Sequence, residues 1–211
     1  MSRRRVVITG MGTVNPLGHD VEATWSALLA GRSGMATTSL FDASTYPSRF
    51  CAEVKDYDFS SRVPSAERHR HAGRQCCFAL GAARQAWSAA GLEGADAVEA
   101  DRLGIYLGSG EGSLDFWNFM DVLVEAWTDG RVDIVRWAKL AFERMNMHRE
   151  VEQESNMVVA HLSAEFGVRG PAFNVLTACA ASNQAMGEAT WLVRRGDCDA
   201  VITGGAHSMM P

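Results

Sequence analysis

Residues 173–196 constrain the fold most, because a short apolar run there passes directly into a long segment of small residues and strong helix formers. Phe173, Val175 and Leu176 read as a strand leaving the Pro171 turn. From Ala180 a helix runs to Gly196, with Ala185, Ala189, Leu192 and Val193 at helical spacing. One cysteine, Cys179, therefore stands where a strand becomes a helix. The unpaired N–H groups and positive dipole end of a first helical turn favour a thiolate and supply oxyanion donors. Ala178, Ala180 and Ala181 leave the sulfur approachable. On these residues alone, a buried cysteine packed as a small hydrophobe is the plainer reading.

Residues 5–9, closed by Gly10-Met11-Gly12, read as a buried strand entering a tight turn. A dinucleotide loop would need a third glycine, and Asn15 followed by Pro16 stands there instead. Asp20 caps a predicted helix through Val21, Trp25, Leu28 and Leu29, ended by Gly31. Residues 33–63 read as a long surface connection with one short strand near 51–54. A helix over 65–90 has a buried side at Phe78, Ala82, Trp87 and Ala90. Strand 103–107 follows, then aromatic-rich helices over 114–127 and 132–145, a polar stretch at 146–153, a helix over 154–166 and a last strand at 199–203. Near-continuously apolar strands alternating with helices predict an α/β protein, a mixed or parallel sheet covered by helices on both faces.

With 211 residues, 47% of them hydrophobic and 21% charged, the chain has enough apolar side chain for one good-sized core. A formal charge of −5 offers no general attraction to nucleic acid or anionic membrane, and Arg3, Arg4 and Arg5 read as solvating a strand start. No run approaches the roughly twenty apolar residues of a membrane span, and residues 1–10 lack the apolar core of a secretory signal, so the expected location is cytoplasmic. Five cysteines without framework spacing read as free thiols. His69, His71, Cys76 and Cys77 invite a metal reading, but His-x-His on a helix points its rings apart and adjacent cysteines cannot easily chelate one ion. No metal is expected there.

Thr177-Ala178-Cys179-Ala180 with Gly187 at this spacing, followed by Gly-Asp-Cys-Asp-Ala-Val-Ile-Thr-Gly-Gly-Ala at 196–206, resembles the nucleophile segment of the β-ketoacyl-ACP synthases. The opening residues 3–12 with Asn15-Pro16-Leu17-Gly18, the run 103–110, and Asn156-Met157 through Gly170-Pro171 resemble the same family in order and spacing. The resemblance covers nearly the whole chain. It implies a thiolase-like fold, of which this chain is the first of two similar halves, as a single domain over 1–211 with a helical insertion at about 111–153. Cys179 then takes an acyl group from a carrier protein's phosphopantetheine thioester and condenses it with malonyl carrier protein. The family's condensation uses two histidines held in His-Gly-Thr-Gly-Thr-type and Asn-x-Phe-Gly-x-x-Gly-type loops of its second half, and neither loop occurs here. The chain ends at Pro211, just past a strand, which implies either a complementary chain carrying the other half or a longer product. The implied partners are acyl carrier protein, that complementary half and a dimer mate; no cofactor is implied.

None of the six histidines, His19, His69, His71, His148, His161 and His207, matches the family's histidine positions; His207, just after the last strand, reads as a polar residue at a strand exit. The chain departs from the family pattern at Glu111, where an apolar residue is usual beside the acyl channel, and at the polar stretch 146–153. A carboxylate lining a hydrocarbon tunnel costs several kcal/mol unless paired or protonated. Glu111 is thus a candidate substrate-binding residue for a short, polar or unusual primer, with a water-facing Glu111 as the alternative. Ala181 and Ser182 replace the more usual Ser-Gly and leave the thiol in place. Two other functions compete: a non-catalytic partner of the chain-length-factor kind, which usually lacks the cysteine, and a thiolase-like enzyme acting on coenzyme A thioesters.

Overall fold

The computed structural model describes residues 4–94 and 98–209; Arg3 of the basic cluster and the terminal Pro211 lie outside them. In chain order the elements are α1 (Val21–Leu29), β1 (Met35–Thr37), β2 (Phe50–Ala52), α2 (Phe59–Arg62), α3 (Arg74–Ala89), β3 (Leu103–Ser109), α4 (Phe116–Glu125), β4 (Trp127–Thr128), β5 (Arg131–Val132), α5 (Ile134–Arg144), α6 (Met147–Glu150), α7 (Met157–Phe166), β6 (Ala172–Val175), α8 (Ala181–Arg195) and β7 (Ala200–Ala206). The central sheet is parallel, in the order β6-β3-β7, while β1–β2 and β4–β5 are separate antiparallel pairs. Helices cover both faces of the sheet, as the apolar strands require.

β3 carries the core. Ile105 and Leu107 point to one face, where they meet Cys76, Ala79 and Leu80 of α3 and Val158, Val159 and Leu162 of α7. The other face bears Gly104, Gly108 and, on β7, Gly205. A Cβ on Gly108 would fall 2.5 Å from the Ala181 carbonyl carbon, and one on Gly205 would fall 2.8 Å from the Ser182 Cβ. The buried side of α8, Ala181, Ala185, Ala189 and Leu192, is correspondingly small, so the helix lies directly on the sheet backbone. Leu80 is fully buried; Leu80→Ala is expected to lower the unfolding free energy by about 3 kcal/mol, read from the urea midpoint at unchanged slope.

Local signals set most element ends. Asp20 caps α1 by accepting from the Ala23 N–H at 2.7 Å, and Gly196, at φ +85°, closes α8. α4 and α5 form a satellite pair around Val122, Ala126 and Leu140, and Glu125 joins them to Arg136 and Arg144 of α5 at 3.5 and 2.6 Å. Among the described residues no helix is long and apolar enough to cross a membrane.

Three expectations change. Residues 33–63 hold two paired strands, β1 and β2, and the short helix α2, where one strand is expected, because β1 supplies the antiparallel partner that a lone short strand lacks. Residues 5–9 form no strand, and Val7 and Ile8 are exposed. The chain here lies on α3, with Gly10 and Gly12 against the backbone of Ala86 and Ala82, instead of entering a sheet edge. The helix over 65–90 is also two pieces, a 3-10 turn at Ala66–His69 and then α3. Gly73 starts α3, and its N–H donates to Glu152 Oε2 at 3.2 Å.

Candidate active site

Because β3, β6 and β7 are parallel, their carboxyl ends share one edge, the edge where open α/β sheets place ligands. From β6 the chain passes through Leu176 and Thr177 into a 3-10 turn, Ala178–Ala180, and then α8. Ala178 sits at φ +51°, a left-handed conformation that costs a non-glycine residue energy, so the strand-to-helix elbow is strained one residue before Cys179. Cys179 is exposed. The elbow is braced by the Thr177 hydroxyl, 2.9 Å from Gln184 Oε1, and by the Ala180 N–H donating to the Thr177 carbonyl at 3.1 Å. Gly108, beneath Ala181 and Ser182, seats the first turn of α8 on the end of β3.

The other two strand ends bring Glu111 and His207 together. The His207 ring lies against Gly110, where a Cβ would fall 2.5 Å from its Cε1. His207 Nε2 stands 3.8 Å from Glu111 Oε2. The Glu111 side chain is 89% exposed, so it faces water in this half of the fold with a histidine beside it. Among the described residues no hydrogen bond or ion pair joins Cys179 to Glu111 or His207. The pairing of Glu111 with His207 left no trace in the sequence beyond the adjacency of two strand ends.

The Glu111 loop is fastened from behind by the polar stretch 146–153. Gly112 N–H donates to the Gln153 carbonyl at 3.0 Å, Ser113 N–H to the Glu152 carbonyl at 2.9 Å, and Gln75 Nε2 to the Glu111 carbonyl at 3.0 Å. Asn174 of β6 donates to Ser109 Oγ at 3.1 Å, and Ser109 Oγ in turn donates to the Ser155 carbonyl at 3.1 Å. The stretch is therefore a buttress of the site loop, and its Glu152 is buried.

The histidines and cysteines of residues 69–77 separate as their spacing predicts. His71 stacks on His148 with ring centroids 5.3 Å apart, while His69 turns inward. Cys76 instead meets Glu152 and His161, residues that sequence spacing does not connect to it. Burial pushes the Cys77 thiol up to about 11 and raises those of Cys76 and Cys198 as well, which leaves these thiols protonated at neutral pH.

Comparison with known proteins gives this geometry its context. Residues 3–211 match the family model described as Beta-ketoacyl synthase, N-terminal domain. The 3-oxoacyl-[acyl-carrier-protein] synthase 2 of Coxiella burnetii is 34% identical over 207 residues, covering 98% of this chain and 46% of that protein. The synthase of the same name from Vibrio harveyi is 35% identical with the same coverage. Among solved structures, the ishigamide ketosynthase/chain length factor superposes with a TM-score of 0.76 at 27% identity, over 97% of this chain and 47% of that one. The chain thus spans about half the length of the curated relatives it matches. It belongs to the β-ketoacyl synthase family and corresponds to that family's N-terminal, thiolase-like half.

Proposed function

We propose that this domain is the nucleophile-bearing half of a β-ketoacyl-ACP synthase. The observation that carries the reading is Cys179, exposed at a strained elbow on the carboxyl edge of the sheet in a domain of this family. The Cys179 thiolate adds to the carbonyl carbon of an acyl carrier-protein thioester. The tetrahedral oxyanion collapses with cleavage of the carrier's C–S bond, and the carrier leaves as its thiol once protonated. Malonyl carrier protein then loses carbon dioxide. Its enolate carbon attacks the Cys179 thioester, forming the new C–C bond and returning the thiolate. Two histidines from the other half of the fold, on a second polypeptide or on the remainder of a longer chain, stabilise that enolate. Exposed Phe173 on β6, Leu176 just beyond it, and Met186 and Trp191 on α8 suit coverage by such a half and by a dimer mate. Glu111 faces water in this half of the fold; once the other half covers this edge, a carboxylate beside His207 suits a short or polar primer better than a long saturated chain.

A non-catalytic role beside a separate ketosynthase is the second reading, and retention of an accessible Cys179 speaks against it. The two separate in a protection experiment. Iodoacetamide is expected to modify Cys179 ahead of Cys51, Cys76, Cys77 and Cys198, and prior incubation with a short acyl carrier-protein thioester should block Cys179 alone. Undiminished labelling after that incubation, with the complementary half present, would assign the domain to the non-catalytic role.

A further inference from the structure

We propose that Cys76, Glu152 and His161 form a divalent-cation site, best suited to zinc, beneath the loop that carries Glu111. The three residues come from α3, the 3-10 turn Val151–Gln153 and α7. Their ligand atoms all lie within 4.8 Å of one another. Glu152 Oε1 is 2.9 Å from His161 Nε2, and Glu152 Oε2 is 3.7 Å from Cys76 Sγ. Cys76 and Glu152 are 1% and 4% exposed.

The hydrogen-bond chain around the site has room for a cation in place of a proton. His161 Nδ1 is 2.8 Å from His69 Nδ1, and His69 Nε2 is 3.1 Å from Glu165 Oε2, a carboxylate that also meets the Ser65 hydroxyl. The chain Glu152–His161–His69–Glu165 thus has three contacts, each needing one proton, whereas two neutral imidazoles hold only two. Without a metal, one further proton must be kept in the core, on a ring or on a carboxyl. Arg84 balances the Glu165 end at 3.2 Å. At the other end, His161 is the only ion-pair partner of Glu152 among the described residues.

A metal at that end satisfies every group. His161 Nε2 coordinates it, His161 Nδ1–H donates to His69 Nδ1, and His69 Nε2–H donates to Glu165, the outer relay that orients metal-bound histidines. Both rings are then neutral. The Cys76 thiolate and Glu152 carboxylate cancel the charge of a divalent ion, and a water or the second carboxylate oxygen fills the fourth position. Without a metal the Cys76 thiol donates weakly to Glu152 Oε2 at 3.7 Å, and with one it becomes a third ligand. Burial and the Glu152 carboxylate hold the Cys76 thiol far above its usual range, so it stays S–H until a metal displaces its proton. Thiolate with imidazole favours zinc over magnesium or calcium. Binding displaces the Cys76 proton, so affinity falls as pH falls. The ion would tie α3 and α7 to the stretch that holds Gly112 and Ser113, fixing the site loop without touching Cys179.

The test is independent of condensing activity. The protein, purified without chelator, is expected to carry about one zinc per chain. Its cobalt(II) form should show a thiolate-to-metal charge-transfer band that Cys77→Ser and Cys179→Ala retain and Cys76→Ser loses. Should Cys76→Ser fail to fold, X-ray absorption of the wild-type zinc protein decides, with a single sulfur neighbour expected at roughly 2.3 Å. A folded wild-type protein that gives no cobalt band and takes up no zinc would overturn the site and leave a proton-bridged histidine pair in its place. A band lost in Cys77→Ser or Cys179→Ala instead of Cys76→Ser would overturn it equally.

Discussion

Cys179→Ala is expected to lower acyl-enzyme formation and condensation by about 10³-fold or more, with the thermal midpoint nearly unchanged. The thiolate is the one protein group in the proposed sequence that bonds to the acyl carbon, so no neighbour can substitute for it. Its side chain is exposed, so truncation leaves no buried cavity and the fold should not register the loss. Measured with the complementary half present, retained turnover would remove Cys179 from the mechanism. A comparable loss accompanied by unfolding would instead make the residue structural.

Gly108→Ala should damage stability and activity together. The new methyl would stand 2.5 Å from the Ala181 carbonyl carbon and the Ser182 nitrogen, backbone atoms of the first turn of α8. The helix must lift, at a cost of about 3 kcal/mol. Displacing the elbow by about 1 Å is worth about 10²-fold in rate. Gly187→Ala is the control within the same helix, since a methyl there meets nothing within 4 Å. Replacing a mid-helix glycine should leave stability equal or raise it by up to about 1 kcal/mol. Equal behaviour of the two variants in urea denaturation and acyl transfer would contradict the close seating of α8 on β3.

Much of this arrangement is legible in the residues themselves. The β3 run reads as a buried strand because both its faces are covered, and Asp20 and Gly31 mark α1 because helix-end chemistry is local. The run from Phe173 to Gly196 placed a cysteine at a strand-to-helix junction for the same reason. Three features stayed hidden because long-range packing decides them. The positive φ of Ala178 has no signal in an alanine. At the break in the helix over 65–90 the Gly73 N–H goes to Glu152, 79 positions away in sequence. Residues 5–9 carry the composition of a strand, yet strand formation needs a free sheet edge, and here the glycines that follow bind them to α3. The resemblance supplied the family, while the contact between Glu111 and His207 and the buried Cys76–Glu152–His161 cluster required coordinates.

Intact-mass analysis of the domain with its complementary half, after incubation with a short acyl carrier-protein thioester, tests the central claim most directly. The account predicts that the 211-residue chain gains the mass of one acyl group. That mass should map to the peptide containing Cys179 and disappear in Cys179→Ala. A chain that stays unmodified while the complementary half or a separate ketosynthase takes up the acyl group would contradict it and make this domain the non-catalytic member of the pair.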